Sequence, residues 1–421
     1  MNLDYAIQTY LPGLEWHGTH HVLKGEKMFI KSLEYSESPG DPRSWKVTGL
    51  DFGNINLIVG KNASGKSRVI SALFGLAQIV AGRIPPKFSS GKWKVIFERT
   101  KGQMVEEQLY ILELSSGKVV SEAMSIAGRL VMARDDSGKG FVLKKTGSDR
   151  VSYKVPSDQL MVVVRRDEIQ HPFFEHMYNW GVTACCYRFG SDFGKSTLSA
   201  NLQSMELAEL NMSELADNVG HVFHVTTERF GADYKKMLME DFSNIGYFCE
   251  DILTTQVVNH QSPSLVGFAL AVREKGFKFL TTQGEMSQGM YRALAILIQF
   301  NANILWTRAS MVGREPKPGD SPMVIVDDIG EGLDFERSKS LIKLLVEKAE
   351  KNSVQLIMAS NDRFIMNVVP LEHWIVLHRQ EGKVRAFNNT NSKAAFQEFE
   401  FMGLSNFDFF SGKFFLTEDS V

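Results

Sequence analysis

One stretch of eight residues combines backbone and side chains suited to binding phosphate. It follows the apolar run Ile55–Val59 and precedes residues 69–76, whose apolar positions have helical spacing. Its glycines allow consecutive N–H groups to turn toward phosphate oxygens, and the start of the following helix adds the positive end of its dipole. The G-x-x-x-x-G-K-S pattern predicts a nucleoside triphosphate site. The residues are Gly60, Lys61, Asn62, Ala63, Ser64, Gly65, Lys66 and Ser67.

Two of these side chains and two aspartates downstream would supply the chemistry. We expect Lys66 to reach the β and γ phosphates and the Ser67 hydroxyl to hold Mg²⁺. A second apolar strand, Met323–Val326, ends in two aspartates, as the metal half of such a site requires. Asp327 is predicted to bind Mg²⁺, and Asp328 to accept a proton from the attacking water.

Two other groups of residues resemble ligand sites without completing one. Residues 190–197 read Gly-Ser-Asp-Phe-Gly-Lys-Ser-Thr, but their glycines enclose three residues instead of four, which leaves the backbone cradle one N–H short. His17, His20 and His21 lie close together, yet no carboxylate or cysteine cluster completes a metal site beside them. We therefore expect a turn at the first group and ordinary loop histidines at the second.

Composition narrows the class of protein. A chain of 421 residues can form one large domain with insertions, or two lobes. The formal net charge of −2 gives no general positive field, so nucleic acid would have to bind a local patch or a partner. The three cysteines form no paired framework, and no run of apolar residues is long enough to cross a membrane. We expect a cytoplasmic protein that does not insert into membranes.

The elements that must position the candidate residues form an α/β unit with insertions. Short runs rich in β-forming residues between Trp93 and Val164 alternate with turns, which predicts an antiparallel β lobe directly after the first helix. Residues 190–245 are predicted to be a small helical insertion, with Leu198, Leu202 and Met205 on one face. The second half returns to alternating strands and helices. Strands are predicted at 276–280, 323–326 and 354–359, and helices at 292–306 and 335–351.

These features divide one predicted nucleotide-binding domain, residues 1–421, into four parts. They are an N-terminal lobe at 28–190, the insertion at 191–250, a C-terminal lobe at 251–386 and a tail at 387–421. The tail is rich in phenylalanine beside acidic residues, a composition suited either to sealing a core or to docking a partner. We favour the core. The phenylalanines are Phe396, Phe399, Phe401, Phe407, Phe409, Phe410, Phe414 and Phe415.

A third motif indicates the subclass. Residues 285–292 read Glu-Met-Ser-Gln-Gly-Met-Tyr-Arg and open a long helix upstream of the aspartates. With the phosphate loop and the acidic strand end, this motif resembles the signature of ABC-type ATPases in their SMC-like and RecF-like branch. The resemblance implies that Ser287 and Gly289 of one subunit cap the γ-phosphate bound by the other, because a helix N-terminus favours an anion. ATP would then hold a head-to-tail dimer together.

The same resemblance assigns further roles and shows departures from the family pattern. It makes Asn62 typical of this branch and places residues 332–334 in the D-loop, at the dimer interface. The switch position, usually histidine, is Asn361, and the usual catalytic glutamate is Asp328. Gln288 replaces a signature glycine. We expect slow hydrolysis, with Glu331 as an alternative general base, because a well-placed base contributes about 10²- to 10⁴-fold to the rate.

Chain length favours one part of this branch. Residues 190–245 are too few for a long coiled-coil arm, and too few residues follow the last predicted strands for a nuclease domain. The chain therefore resembles compact bacterial AAA-family ATPases that act beside a separate effector, such as a nuclease, in phage defence. The implied function is an ATP-dependent sensor or scaffold. A RecF-like DNA-binding clamp in DNA repair, using residues 139–145 and 165–166, and a structural protein with a vestigial nucleotide site remain alternatives.

Overall fold

The computed structural model describes residues 27–144, 149–199, 215–258, 266–310 and 321–416. The strands in chain order are β1 Lys27–Glu37, β2 Trp45–Asp51, β3 Ile55–Val59, β4 Ser90–Lys101, β5 Met104–Ser115, β6 Lys118–Ile126, β7 Arg129–Arg134, β8 Lys139–Leu143, β9 Arg150–Lys154, β10 Cys185–Arg188, β11 Cys249–Val258, β12 Val266–Glu274, β13 Thr281–Thr282, β14 Met323–Asp327, β15 Gln355–Ser360, β16 Trp374–Gln380 and β17 Lys383–Asn388.

The helices lie between the strands and, in the tail, after them. They are α1 Lys66–Val80, α2 Met161–Val164, α3 Pro172–Thr183, α4 Val219–Asn244, α5 Gln288–Ser310, α6 Phe335–Asn352, α7 Arg363–Val368, α8 Lys393–Glu400 and α9 Asn406–Ser411, with a 3₁₀ turn at Leu371–His373. The described chain is therefore mixed α/β, as the sequence pattern predicts. Among its helices, none is both long and apolar enough to cross a membrane.

Fourteen of the described strands form one sheet, in the order β10-β14-β15-β3-β16-β17-β2-β1-β4-β5-β6-β7-β8-β9. From β10 to β16 neighbouring strands are parallel, and β3 and β15 are buried along their whole length. Strands buried on both faces must be short apolar runs, which explains why the pattern identified β3, β14 and β15 correctly. Parallel strands end at the same edge, so this edge collects the residues that follow β3, β10, β14 and β15.

Helices cover both faces of the parallel part. On one face, α1 and α3 pack over Ile325 and Ile357 in one apolar cluster. On the other face, α4, α5 and α6 pack over Val324 and Leu356 in a second cluster. Successive side chains of a strand point to opposite faces of the sheet. A strand residue that belongs to one of the two clusters therefore points toward the helices of that cluster.

Strands β4 to β9 form an antiparallel meander, as the turns between them predict. The meander is not a separate sheet. It joins the parallel strands through β1, β2 and the parallel β17–β2 pair. The inserted strands therefore extend the same sheet that contains the parallel strands.

The last run of the predicted β lobe, Leu160–Val164, is not a strand, so this part of the prediction is wrong. These residues include the helical turn α2, whose first N–H groups are bonded to the buried carboxylate of Glu122. Unpaired N–H groups at the start of a helix require such acceptors, and here the acceptor comes from β6. Tertiary contact therefore overrides the β preference of a valine-rich run.

Two further predictions differ from the structure. Residues 276–280 form a turn in which Gly276 has φ +87°, and the strand of this region is β12, just upstream. Leu198 lies outside any helix and is 43% exposed. The remaining residues of that predicted helical face lie in 200–214, outside the described residues, as do His17, His20 and His21. The helix of this region, α4, begins only at Val219.

The phenylalanine-rich tail mostly contributes to the core, as favoured by the sequence. Phe396, Phe399, Phe409 and Phe415 are buried in the apolar cluster that also contains residues of α5 and α6. Phe401 is different, because it is 90% exposed in the turn between α8 and α9.

Candidate functional site

The phosphate-loop residues form a closely wrapped turn between β3 and α1. Gly65 has φ +107° immediately before α1, and a Cβ atom there would lie 2.9 Å from the Trp45 ring. A Cβ atom on Gly60 would overlap the Ser64 hydroxyl. Ala63 also has a positive φ, +63°. Both glycines of the pattern are thus required by the space and the backbone conformation of the turn.

Lys66 lies across this loop. Its Nζ donates a hydrogen bond to the carbonyl oxygen of Gly60, 2.9 Å away, so the amine is held at the opposite end of the turn. Burial lowers the pKa of Lys66, and the negative charges of Asp328 and Asp327 partly offset this. The positively charged amine of Lys66 therefore lies where it would be next to an anion bound by the loop.

Ser67 and Asp327 meet at the same edge of the sheet. The Ser67 hydroxyl forms a hydrogen bond with the Asp327 carboxylate, although β3, which leads into α1, is separated from β14 by β15. Burial and the neighbouring charge of Asp328 raise the pKa of Asp327. Its Oδ1 is buried and has no hydrogen-bond partner.

This donor set fits Mg²⁺. The ion prefers oxygen ligands and is commonly held by one or two protein groups together with nucleotide phosphates. Ser67 supplies a hydroxyl oxygen, and Asp327 supplies a carboxylate with one unpaired oxygen. Within the described residues, no cluster of three His, Cys, Asp or Glu side chains forms an independent metal site. The two oxygens thus suit a cation shared with a nucleotide.

Asp328 and Glu331 converge on Gly190. A Cβ atom on Gly190 would lie 3.1 Å from Asp328 Oδ2 and 2.6 Å from Glu331 Oε2, so the two carboxylates are no farther apart than the sum of these distances. Asp328 has a left-handed backbone, with φ +54°, which is uncommon for a residue other than glycine. The sequence predicted both carboxylates, but not the glycine that allows the chain after β10 to approach them.

Asn361 and Asn62 are brought together. Asn361 Nδ2 donates to Asn62 Oδ1 at 2.8 Å, which links the end of β15 to the phosphate loop. Both residues are exposed. On the other side of the loop, Arg379 donates to the carbonyl oxygen of Ala63 at 3.0 Å. The loop is therefore held by hydrogen bonds from both neighbouring strands.

Ser287 and Gly289 are not brought to the phosphate loop of their own chain. Ser287 is exposed and its hydroxyl accepts a hydrogen bond from Met290 N–H at 3.1 Å, which caps α5. No hydrogen bond joins Ser287 to residues 60–67, all of which belong to the described chain. A Cβ atom on Gly289 would overlap the carbonyl oxygen of Gly332, so the start of α5 packs directly on the turn after β14.

Sequence reasoning missed the role of Arg292, which links three segments. Its guanidinium donates to the carbonyl oxygens of Gly190 at 2.7 Å, Ser191 at 2.8 Å and Glu331 at 2.9 Å. Only 7% of this arginine is exposed. A charged residue at the start of an otherwise apolar helix is the signal that could have identified it, since a buried guanidinium needs several acceptors.

The second stretch that resembles a phosphate loop, residues 190–197, forms turns, as expected. Its lysine, Lys195, donates to the carbonyl oxygen of Met286 at 2.7 Å. Gln283 donates to the carbonyl oxygens of Gly194, Lys195 and Thr197. These bonds attach the segment to residues 283–286, directly before α5, so the segment is a structural connection.

No protein-family model matches the chain, and no curated protein is significantly similar to it. Several solved structures are similar in fold. An SMC head bound to the C-terminal winged-helix domain of ScpA has a TM-score of 0.46 and 16% identity, covering 85% of this chain and 96% of that one. The SMC head domain from Thermotoga maritima has a TM-score of 0.41 and 12% identity, covering 85% of this chain and 98% of that one.

An ABC transporter subunit is also similar. This protein, cbiO1 of the cbiONQ complex from Clostridium perfringens, has a TM-score of 0.37 and 14% identity, covering 90% of this chain and 93% of that one. Similarity at this level does not establish a function.

Proposed function

We propose that the chain is an ABC-type, SMC-like ATPase that binds ATP with Mg²⁺ and hydrolyses it slowly. The observation that carries this proposal is the hydrogen bond between Ser67 and Asp327, beside a lysine that spans the glycine loop. Lys66 and Ser67 begin α1 and Asp327 ends β14, yet the three side chains meet at one edge of the sheet. That combination suits a triphosphate and its cation.

Each residue has a role in this mechanism. The N–H groups of residues 60–67 and the N-terminus of α1 bind the phosphates, and Lys66 moves its amine from Gly60 to the β and γ phosphates. Ser67 and Asp327 hold Mg²⁺, which when bound neutralises phosphate charge. Asp328, with Glu331 nearby, accepts the proton of the attacking water. Asn361 donates a hydrogen bond to the γ-phosphate without adding charge.

Two features support slow hydrolysis. Asn361 is neutral, so the switch position adds no positive charge to stabilise the negatively charged transition state. Asp328 is one methylene shorter than glutamate and has a left-handed backbone that restricts where its carboxylate reaches. We expect a kcat well below the typical value of about 10 s⁻¹.

The proposed assembly is a head-to-tail dimer around ATP. It is supported by the exposure of Ser287 at the start of α5, which makes no bond to its own phosphate loop. A second copy would bring this capped helix N-terminus, with its positive dipole end, to the γ-phosphate. Ser287 and Gly289 would then complete the site in trans.

The test is nucleotide binding by Lys66→Ala, with Lys61→Ala as the matched control. Lys61 is exposed and belongs to the same loop, whereas Lys66 is buried within it. ATP with Mg²⁺ should raise the melting temperature and the apparent mass of the wild type and of Lys61→Ala, because a ligand stabilises the state that binds it. Lys66→Ala should show neither effect. If the wild type shows no thermal shift with ATP, the proposed function is wrong.

For the cellular role, we propose a sensor or scaffold for a separate effector, such as a nuclease, in phage defence. An exposed apolar surface in the tail, formed by Phe401, Met402 and Leu404, supports partner binding. Copurification from the native host, read by mass spectrometry, should recover one effector, and Phe401→Asp should lose it. Recovery without dependence on the tail would contradict this docking site.

A RecF-like DNA clamp is the second candidate, supported by exposed Lys139 and Lys154 on β8 and β9. Arg166 contributes less than its sequence suggests, because it pairs with Glu175 at 3.1 Å and stacks on Tyr178. Duplex DNA binding measured with and without ATP across a salt series distinguishes the two. A steep fall in affinity with salt would favour the clamp, and no binding would favour the scaffold.

A further inference from the structure

Arg188 is the last residue of β10 and lies beside the proposed metal ligand. In the parallel pair of β10 and β14, Arg188 is in register with Asp327 and Cys186 with Ile325. Residues two apart on a strand point to the same face of the sheet. Cys186 and Ile325 both contact the apolar cluster that includes α1. The side chains of Arg188 and Asp327 therefore project from the face that carries α1 and Ser67.

The guanidinium of Arg188 is available, unlike those of its neighbours. Arg188 is exposed, and within the described residues it forms no ion pair or side-chain hydrogen bond. Arg292 and Arg379 also lie near this edge, but each donates to backbone carbonyl oxygens. Arg188 is thus a positively charged side chain that no ion pair or side-chain hydrogen bond among the described residues engages.

The charges at the site show what this cation could offset. Asp327, Asp328 and Glu331 bring three carboxylates to the edge, where Lys66 and Arg292 are buried cations and Arg292 pairs with Glu331. A bound triphosphate adds further negative charge, and the switch position offers only the neutral Asn361. Charge that develops on a transferring phosphoryl group is commonly stabilised by an arginine.

We propose that Arg188 contacts the γ-phosphate in cis and stabilises the transition state of hydrolysis. This rests on the proposed function, because it requires a nucleotide in the loop 60–67. The parallel register places the side chain one strand beyond Asp327, on the same face, where it supplies the charge that Asn361 lacks. The glycine at 190 keeps the chain after β10 close to Asp328 and Glu331, which holds Arg188 at the site.

The test compares binding of a ground-state nucleotide with binding of a transition-state mimic. Affinities of fluorescent ATP, and of fluorescent ADP with and without aluminium fluoride, are measured with Mg²⁺ for the wild type, Arg188→Ala and Arg188→Lys. Arg150→Ala is the matched control, since Arg150 is an exposed arginine on β9, at the opposite edge of the same sheet. Melting temperatures without nucleotide confirm that each variant is folded.

Arg188→Ala should lose the gain in affinity that aluminium fluoride gives, by about 10²-fold, and lose kcat by a similar factor. Its ATP affinity should change by less than about threefold, because the contact strengthens only in the transition state. Arg188→Lys should fall between, since lysine keeps the charge but not the planar fork. Arg150→Ala should match the wild type.

Three results would overturn the proposal. Equal gains with aluminium fluoride in Arg188→Ala and the wild type would show that the guanidinium does not contact the reacting phosphate. Equal losses of ATP and mimic affinity in both Arg188 variants would assign Arg188 to ground-state binding alone. Absence of any nucleotide binding by the wild type would reject the proposed function as well, so the two failures are distinguishable.

Discussion

At the scale of single residues, two carboxylates share the space beside Gly190, and only one can be the principal base. Asp328 directly follows the proposed metal ligand Asp327, but its φ of +54° gives it a left-handed backbone just after the strand. Glu331 has the longer side chain, and its carboxylate lies 3.7 Å from the guanidinium of Arg292. This ion pair gives the Glu331 carboxylate a partner within its own chain, whereas Asp328 forms no ion pair among the described residues. Asp328 is therefore the better candidate.

We predict that Asp328→Asn lowers kcat by about 10²- to 10⁴-fold and leaves ATP affinity nearly unchanged, because the amide cannot accept the proton of the water. Glu331→Gln, the matched control, should lower kcat by less than about tenfold. Single-turnover hydrolysis and ATP binding measure the two quantities. A larger loss for Glu331→Gln would assign the base to Glu331.

At the scale of elements, the start of α5 packs closely against the turn after β14, and Gly289 lies at the contact. A Cβ atom on Gly289 would overlap a backbone oxygen, which cannot move as a flexible side chain can. Gly284 precedes the same helix but has no atom within 4 Å of its Cβ position. Comparing alanine substitutions at these two glycines therefore separates the effect of the backbone contact from the effect of adding a methyl group.

Gly289→Ala should destabilise the fold by about 1–3 kcal/mol, since overpacking outweighs the gain of up to about 1 kcal/mol that alanine brings to a helix. Nucleotide-dependent dimerisation should weaken as well, because Ser287 shifts with the helix start. Gly284→Ala should stay within about 0.5 kcal/mol of the wild type. Denaturant unfolding and sizing with ATP measure both effects. Unchanged stability in Gly289→Ala would refute the tight packing.

A second element-scale feature is the carboxylate under α2. Glu122 is fully buried and accepts from Met161 N–H at 2.8 Å, Val162 N–H at 3.1 Å and Tyr110 O–H at 3.1 Å. Burial raises the pKa of Glu122 above its ordinary value, and these hydrogen bonds offset the effect only in part. The folded state therefore holds this proton more tightly than the unfolded state does.

This sets the sign of a pH effect. Between the ordinary glutamate pKa and the raised folded value, the folded state binds more protons, so stability falls as pH rises and then levels off. Glu122→Gln does not titrate, so the wild type should lose stability relative to this variant as pH rises through that window. Urea unfolding of both proteins from pH 4 to pH 8 gives the difference. A difference that is constant with pH would contradict the assignment.

At the scale of the whole molecule, the tail closes the core on one side and leaves an apolar surface on the other. Phe409 is fully buried, with ring centroids of Phe396 and Phe399 at 4.6 and 5.0 Å. Phe401 is only a few residues away and is 90% exposed. The tail thus combines both uses that its composition suggests.

Phe409→Ala should cost about 3–5 kcal/mol in the free energy of unfolding, because it leaves a cavity among packed rings. Phe401→Ala should change it by less than about 0.5 kcal/mol, because little surface is buried there. Guanidinium unfolding of the full chain measures both. A near-neutral Phe409→Ala would mean that the tail does not contribute to the core.

The sequence by itself determined the glycine turn at residues 60–67, the strands β3, β14 and β15, and the places of Lys66, Ser67 and Asp327 at the ends of these elements. These features are encoded locally, because a buried strand, a glycine turn and a helix start are read from adjacent residues. Only the tertiary structure decided that Gly190 meets Asp328 and Glu331 and that Arg292 bonds a carbonyl 102 residues away in the chain. The helical turn at α2 likewise depends on a carboxylate 39 residues upstream. Such pairings follow from strand order and register, which no local pattern specifies.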